Sequence, residues 1–282
     1  MIEPESSYLE AAAMLKLACQ EQLLPGDGLV AQFDFARRAG FDGIELRAKG
    51  DGHFARRLPE LRAAARAGVV MKTVCPDTDH FIGDFDPDRR RDAVAQLRSQ
   101  LSVLAELGGE GVLTPASWGM FSLRLPPFTP PRPAEEDRKV LLDALVPLAE
   151  HAAREGVWLA LEALNRYEDY MLNRLEQVAD LAEEVCGAIG SRSVRACADF
   201  FHLNIEEDDL PQAIEAAGPW IVHVHVDDSN RLQPGTGHLD FAGAFRALRA
   251  IDYDGWHTLE CRLRGDPETA LPATAAYLRQ FE

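Results

Sequence analysis

The sequence predicts an α/β fold of one class, a single (β/α)8 TIM barrel, and three observations carry that reading. Short apolar or β-branched runs alternate with longer amphipathic stretches from one end of the chain to the other, which is the rhythm of parallel α/β proteins. Eight such runs occur in 282 residues, the strand number that closes this barrel, for which about 250 residues is typical. No GxGxxG or Walker A sequence follows an early run, which counts against a doubly wound open sheet. One domain covering 1–282 is therefore expected.

The elements follow in order. MLKLAC (14–19) is the first candidate strand and GLVAQFDFARRAG the helical stretch after it. GIEL (43–46) leads into RLPELRAAARAG, and VVMKTVC (69–75) into the long DPDRRRDAVAQLRSQLSVLAELGG. GVLTPA (111–116) is followed by the one segment that breaks the rhythm, the Pro-rich SWGMFSLRLPPFTPPRP from Ser117 to Pro133, too long for a simple βα turn. In a barrel it would stand at the catalytic mouth, either as a lid or substrate wall or as a tolerated surface loop. AEEDRKVLLDALVPLAEHAAREG comes next, then VWLALEAL (157–164) with RLEQVADLAEEVCG. VRACADF (194–200) with LPQAIEAAG, IVHVHV (221–226) with DFAGAFRALRAIDY, and WHTLEC (256–261) with DPETALPATAAYLRQF complete the eight. Gly40, Gly68, Gly108, Gly156 and Gly187 are placed where left-handed helix caps are wanted.

Composition bounds the function. Lys and Arg number 29 against 46 Asp and Glu, a net charge of -17, which repels polyanions and leaves no basic footprint for nucleic acid or an anionic membrane. No apolar run approaches the roughly 18 residues of a membrane span, and MIEPESSYLE has no signal-peptide pattern, so a cytoplasmic protein is expected. The five cysteines are widely spaced without a CxxC and read as buried free thiols rather than a disulfide framework or thiolate zinc site. A homo-oligomer is compatible with all of this, and no subunit count is read from it.

In a parallel barrel the active site lies at the C-terminal strand ends. The fifth run places Glu162 on the face of Trp158 and Ala160, and the sixth places Asp199 on the face of Cys197. The seventh puts His223 and His225 together, and the eighth delivers Glu260 after Thr258. Three buried carboxylates in one place need a cation or must protonate. A divalent metal held by Glu162, Asp199, His225 and Glu260 resolves the conflict, with His223 as a deeper, hydrogen-bonded neighbour. Carboxylates with one imidazole suit Mn²⁺ first, then Mg²⁺ or Co²⁺. Glu162 and Glu260, from the fifth and eighth strands, would stand on opposite sides of a bound ketose, one removing the proton beside a carbonyl and the other returning it. The metal would stabilise the enediolate. Arg231 offers a donor fork for hydroxyls, a carboxylate or a phosphate, or else a loop-fixing ion pair. Trp118, Phe121 and Phe128 would cover a sugar or pack the insertion, and His80 and Asp84 would reach the mouth or lie in a solvated loop.

The blocks ALEALNRYE, ADFFHLNIEE, HVHVDDSNRLQPGTGHLDF and YDGWHTLEC resemble the signature segments of the xylose isomerase-like TIM barrel superfamily, nearest in motif to its ketose 3-epimerase and hydroxypyruvate isomerase branch. The resemblance spans Ala160 to Cys261, and the N-terminal half matches only in rhythm. It implies one Mn²⁺, Mg²⁺ or Co²⁺ on the same four ligands, with Glu168, His202 and Arg231 contacting substrate oxygens. The chain departs from the epimerases between the metal histidine and the Asn-Arg pair. They usually carry Gly-Glu there, and this chain has Val226-Asp227-Asp228-Ser229. The activity expected is a metal-dependent isomerase or epimerase of a small non-phosphorylated ketose or hydroxy-keto compound. The alternative is a lyase on the same scaffold, like inosose or dehydroshikimate dehydratase, in which the enediolate expels a β-hydroxyl. An endonuclease IV-like hydrolase is disfavoured by the net charge, and a non-catalytic sugar-binding barrel by the retention of all four ligands.

Overall fold

The computed structural model describes residues 15–122 and 129–282. Eight parallel strands close into a barrel in sequence order: β1 (Lys16–Gln20), β2 (Gly43–Lys49), β3 (Met71–Asp77), β4 (Gly111–Pro115), β5 (Trp158–Glu162), β6 (Val194–Asp199), β7 (Ile221–Val226) and β8 (Trp256–Leu259). All eight predicted runs are strands, and β1 pairs with both β2 and β8, which leaves no free edge. Among the described residues, ten α-helices follow in chain order: α1 (Leu29–Ala39), α2 (His53–Arg56), α3 (Leu58–Arg66), α4 (Pro87–Glu106), α5 (Ala134–Glu155), α6 (Leu175–Ile189), α7 (Phe200–Glu206), α8 (Leu210–Ala217), α9 (Phe241–Ala250) and α10 (Pro267–Leu278). Their apolar stripes cover the outward residues of the strands, among them Leu17, Ile44, Leu46, Val112, Leu159, Leu161, Val224 and Leu259, all buried.

Two details differ from expectation. Gly187 lies inside α6, which runs to Ile189, and the left-handed cap belongs to Gly190 at φ 68°. The short helix α7 was not foreseen; it begins directly at β6 because Asp199 caps it, its carboxylate accepting from the His202 N–H at 2.9 Å.

The inward residues form layers. At the floor Trp158 packs over Gly111, its register neighbour on β4, and Trp256 over Gly43 of β2. A Cβ on Gly111 would stand 2.0 Å from Trp158, and one on Gly43 2.9 Å from Trp256. Cys75, Leu113, Ala160 and Cys197 pack together above this floor. A polar layer comes next, and the candidate site lies at the top.

The insertion leaves and rejoins the barrel at anchored points. Fully buried Asp169, in the loop after β5, accepts from the Ser117 N–H at 2.7 Å and its hydroxyl at 2.6 Å. At the other end Arg132 donates to Asp137 at 2.7 Å, and the Tyr170 hydroxyl donates to the same carboxylate at 2.9 Å. Phe121 packs edge-on against Tyr170, ring centroids 5.4 Å apart. Residues 123–128, including Phe128, lie outside the described residues.

Candidate active site

Strands β5 to β8 bring Glu162, Asp199, His225 and Glu260 to one point at the C-terminal end of the barrel. The register sets Asp199 beside His225, while Glu162 pairs with Cys197, two residues before Asp199 on the same inward face of β6. His225 Nδ1 lies 2.7 Å from Glu260 Oε2, 2.9 Å from Glu162 Oε1 and 3.8 Å from Asp199 Oδ2. One donor atom from each of the four falls within 4.8 Å of the others. The charges respond to one another. Burial works against an imidazolium at His225, but the surrounding acids Cys197, Glu260, Glu45 and Glu162 hold its pKa well above the usual range. Burial likewise opposes ionisation of Glu260 and Asp199, yet His225 and Arg231 hold Glu260 well below its ordinary value, and Arg231 and His202 lower Asp199. Three carboxylates focused on one imidazole nitrogen demand positive charge there. The donor set, hard oxygens with one nitrogen, fits a divalent cation of the Mn²⁺, Mg²⁺ or Co²⁺ kind.

Glu168, His202 and Arg231 all line the mouth, a cavity of about 330 Å³. Buried His202 accepts at Nδ1 from the Asn165 backbone N–H (3.1 Å) and is 2.7 Å from its side-chain amide, so Nε2 carries the proton in the neutral ring. That Nε2 lies 4.0 Å from Asp199. Glu168 is steadied by donors from Trp118 (3.0 Å) and Asn165 (3.1 Å), and half-exposed Trp118 thereby becomes part of the wall. Arg231 is no free fork. Its Nη1 donates to Asp199 (2.8 Å) and Asp227 (2.7 Å), its Nη2 stands 3.4 Å from Glu260, and its guanidinium lies over Phe201. Its backbone is left-handed, φ 59°, an uncommon conformation for a side chain of this size, held by Arg231 N–H to the Asp228 carbonyl and Arg262 N–H to the Arg231 carbonyl.

The Asp-Asp departure has a structural reason. Asp228 accepts from the backbone N–H groups of Ser229, Gly235, Thr236 and Leu239, and so folds the loop that carries Arg231. Fully buried Asp227 accepts from the Phe201 N–H and from Arg231; burial first, then the nearby Asp199, pushes its carboxyl well above the usual range.

Two residues at the site escaped the sequence reading, Glu45 and Arg47, both inward on β2. Glu45 is fully buried below His225. Arg47 lines the mouth, donates to Cys75 Sγ at 2.8 Å and stands 3.7 Å from Glu260 and 3.8 Å from Asp77. The signal was present: Gly43, Glu45 and Arg47 share one parity of the strand, opposite apolar Ile44 and Leu46. His223 lies under His225 with Nε2 2.9 Å from Glu45, a close contact off the line of a hydrogen bond rather than the bonded neighbour expected there. His80 turns away to Asp92 on α4, and buried Asp84 accepts from the Asp86 N–H; neither lines the mouth.

The Xylose isomerase-like TIM barrel family matches residues 33–281. The chain is 39% identical over 94% of its length to the 3-dehydro-D-guloside 4-epimerase of Escherichia coli, covering 99% of that protein. It is 33% identical over 78% of its length to the D-psicose 3-epimerase of Enterocloster bolteae, covering 72% of it. Among solved structures, the apo 3-keto-D-glucoside 4-epimerase from E. coli superposes with a TM-score of 0.85 at 38% identity, over 94% of this chain and 99% of that one. A D-allulose 3-epimerase from Methylomonas sp. in complex with D-allulose has a TM-score of 0.79 at 24% identity, over 96% and 98%, and shares the fold.

Proposed function

Because the chain belongs to the xylose isomerase-like TIM barrel family, we propose that it is a divalent-metal-dependent epimerase that inverts the carbon beside the ketone of a non-phosphorylated keto-sugar. The observation that carries this reading is the convergence of Glu162 from β5 and Glu260 from β8 on one nitrogen, at 2.9 and 2.7 Å. An epimerase needs a proton carrier on each face of the inverted carbon, and these two carboxylates arrive from different walls of the barrel. Glu162, Asp199, His225 and Glu260 would hold the cation, which when bound supplies Lewis-acid stabilisation of the charge that builds on the carbonyl oxygen. One glutamate takes the proton at a carboxylate oxygen and the other gives one back from the opposite side. The Nε2–H of His202 and the Arg231 fork orient substrate oxygens, Glu168 accepts from a hydroxyl, and Trp118 screens the mouth from water.

Within the class, the 3-dehydro-D-guloside 4-epimerase is 39% identical over 94% of the chain, while the D-psicose 3-epimerase aligns at 33% identity over 78% of it. This favours a 3-keto glycoside, inverted at C4, over a free ketose. The charge of the mouth argues against a phosphate: Arg47 and Arg231 are already engaged by Glu260, Asp77, Asp199 and Asp227, which leaves Arg262 at the rim. A second proton carrier opposite the first favours reprotonation over expulsion of a β-hydroxyl. All five cysteines are unpaired, which supports a reducing, cytoplasmic setting. Among the described residues, no helix is long and apolar enough to cross a membrane.

The test is NMR of Mn²⁺-loaded protein, diluted into D₂O with a methyl 3-keto-glucoside, D-allulose or a ketose phosphate. The new epimer of the keto-glycoside, with deuterium at the inverted carbon, is the expected result. Loss of water from substrate would establish the lyase instead, and a tenfold preference in kcat/KM for the phosphate, about 1.4 kcal/mol of transition-state binding, would overturn the substrate class.

A further inference from the structure

Glu45 is a fully buried carboxylate in the middle of β2, with no solvent to hold its charge. Such a group persists only where partners satisfy it. Four do. Gln20 of β1 donates to Oε1 at 3.0 Å and Thr73 of β3 donates to Oε2 at 2.8 Å; both are register neighbours of Glu45, so the adjoining strands clamp the carboxylate in one orientation. From across the barrel, His225 Nε2 meets Oε1 at 3.0 Å and His223 Nε2 lies 2.9 Å from Oε2. The two nitrogens of His225 thus face different partners: Nδ1 the three carboxylates of the candidate metal site, and Nε2 the carboxylate of Glu45.

We propose that Glu45 is the positioning residue of the site: it accepts the Nε2 proton of His225 and thereby fixes the ring orientation and the tautomer whose Nδ1 lone pair is free to bind the cation. The inference rests on the metal-site reading given above. An imidazole can place its proton on either nitrogen, and only the Nε2–H form presents a lone pair at Nδ1. A carboxylate behind a ligating imidazole also raises its basicity, and loss of such a partner typically weakens metal binding tenfold to a hundredfold. Gln20 and Thr73 are the second layer of support, since without their donors Glu45 would be free to turn toward His223.

Glu45→Gln and Glu45→Leu, made in the full chain, are titrated with Mn²⁺, and bound ion is read by electron paramagnetic resonance without any substrate. Long-range ¹⁵N–¹H spectra of Mg²⁺-loaded protein report the His225 tautomer, a signature that a purely structural role would not move. About tenfold weaker Mn²⁺ binding is expected for Glu45→Gln, which keeps one acceptor, and up to a hundredfold for Glu45→Leu, with His225 no longer uniformly Nε2-protonated. Mn²⁺ affinity within threefold of wild type in folded Glu45→Leu would overturn the proposal; if that variant does not fold, the same result in Glu45→Gln would do so. Two Mn²⁺ per wild-type chain, one of them lost in Glu45→Gln, would also overturn it by making Glu45 a ligand with His223. Asp199→Ala is the control for the site itself. Full Mn²⁺ binding there refutes the metal-site reading, whereas loss there with retention in both Glu45 variants refutes only the role of Glu45.

Discussion

If Glu162 and Glu260 serve opposite faces of one carbon, replacing either should divide the reaction rather than merely slow it. Glu162→Gln and Glu260→Gln keep the shape of each side chain and its approach to His225 Nδ1, but an amide cannot carry the proton. A positioned acid or base contributes about 10² to 10⁴ in rate, so each variant should lose about 2.7 to 5.5 kcal/mol of transition-state stabilisation. Both residues are also proposed ligands, so the assay is run at Mn²⁺ concentrations that saturate each variant, with circular dichroism to confirm the fold. The decisive readout is exchange in D₂O. A variant that keeps only one carrier can still remove and return the proton on that carrier's face, so it should wash deuterium into one epimer and leave the other untouched. The two variants should choose opposite epimers. Epimerisation above about a tenth of wild-type kcat in either variant, a change below about 1.4 kcal/mol, or exchange of the same epimer by both, would refute the two-carrier arrangement.

Three further outcomes follow from the packing. His257, buried on β8 and stacked on Phe245, has its pKa pushed down to about 3, by burial first and then by His223. The unfolded chain takes up a proton below about 6.5 while the folded one does not, so stability present above that pH is lost as pH falls toward 3. Between pH 7 and pH 5 the loss is about 2 kcal/mol, and urea titrations should find it absent in His257→Phe; equal pH dependence would refute the assignment. Asp228→Ala strips the acceptor from four backbone N–H groups and should cost at least about 2 kcal/mol while raising KM, because Arg231 rides on that loop; an unchanged KM would detach the loop from substrate binding. Gly111→Ala would drive a Cβ to 2.0 Å from the Trp158 ring and 2.5 Å from its backbone carbonyl oxygen and should cost about 3 kcal/mol or more, only partly restored by Trp158→Ala in the double variant because the carbonyl stays in place; full restoration would show that the ring is the sole obstacle.

The barrel was legible because parity and rhythm are local properties: each strand carries its own apolar alternation, and eight of them have one economical closure. The grouping of Glu162, Asp199, His225 and Glu260 was legible for the same reason, since each stands at a strand end on the inward parity. Glu45 obeys that rule too, but GIEL is short and its acid sits mid-strand rather than at an end, so it passed for an ordinary polar position. What makes it matter is a contact across the barrel, to a residue 180 positions away, and no local pattern encodes that. Helix α7 was obscured differently. Asp199 serves as strand end, helix cap and site carboxylate at once, and FFHLNIE is too short to declare a helical period. The Asp227-Asp228 pair was visible as a departure, but its work, holding Arg231 and folding the following loop, depends on backbone N–H groups that a sequence does not display.

The paired tryptophans at the floor have a consequence for traffic. Trp158 and Trp256, packed against Gly111 and Gly43, fill the end of the barrel opposite the mouth, and the candidate site opens at the other end. Substrate and product would then share the opening lined by Trp118, Arg47 and Arg262. Departure of one epimer is then a precondition for arrival of the next molecule. The product should therefore act as a purely competitive inhibitor against substrate, and viscogens that slow diffusion through the doorway should lower turnover whenever release, rather than proton transfer, is the slower event.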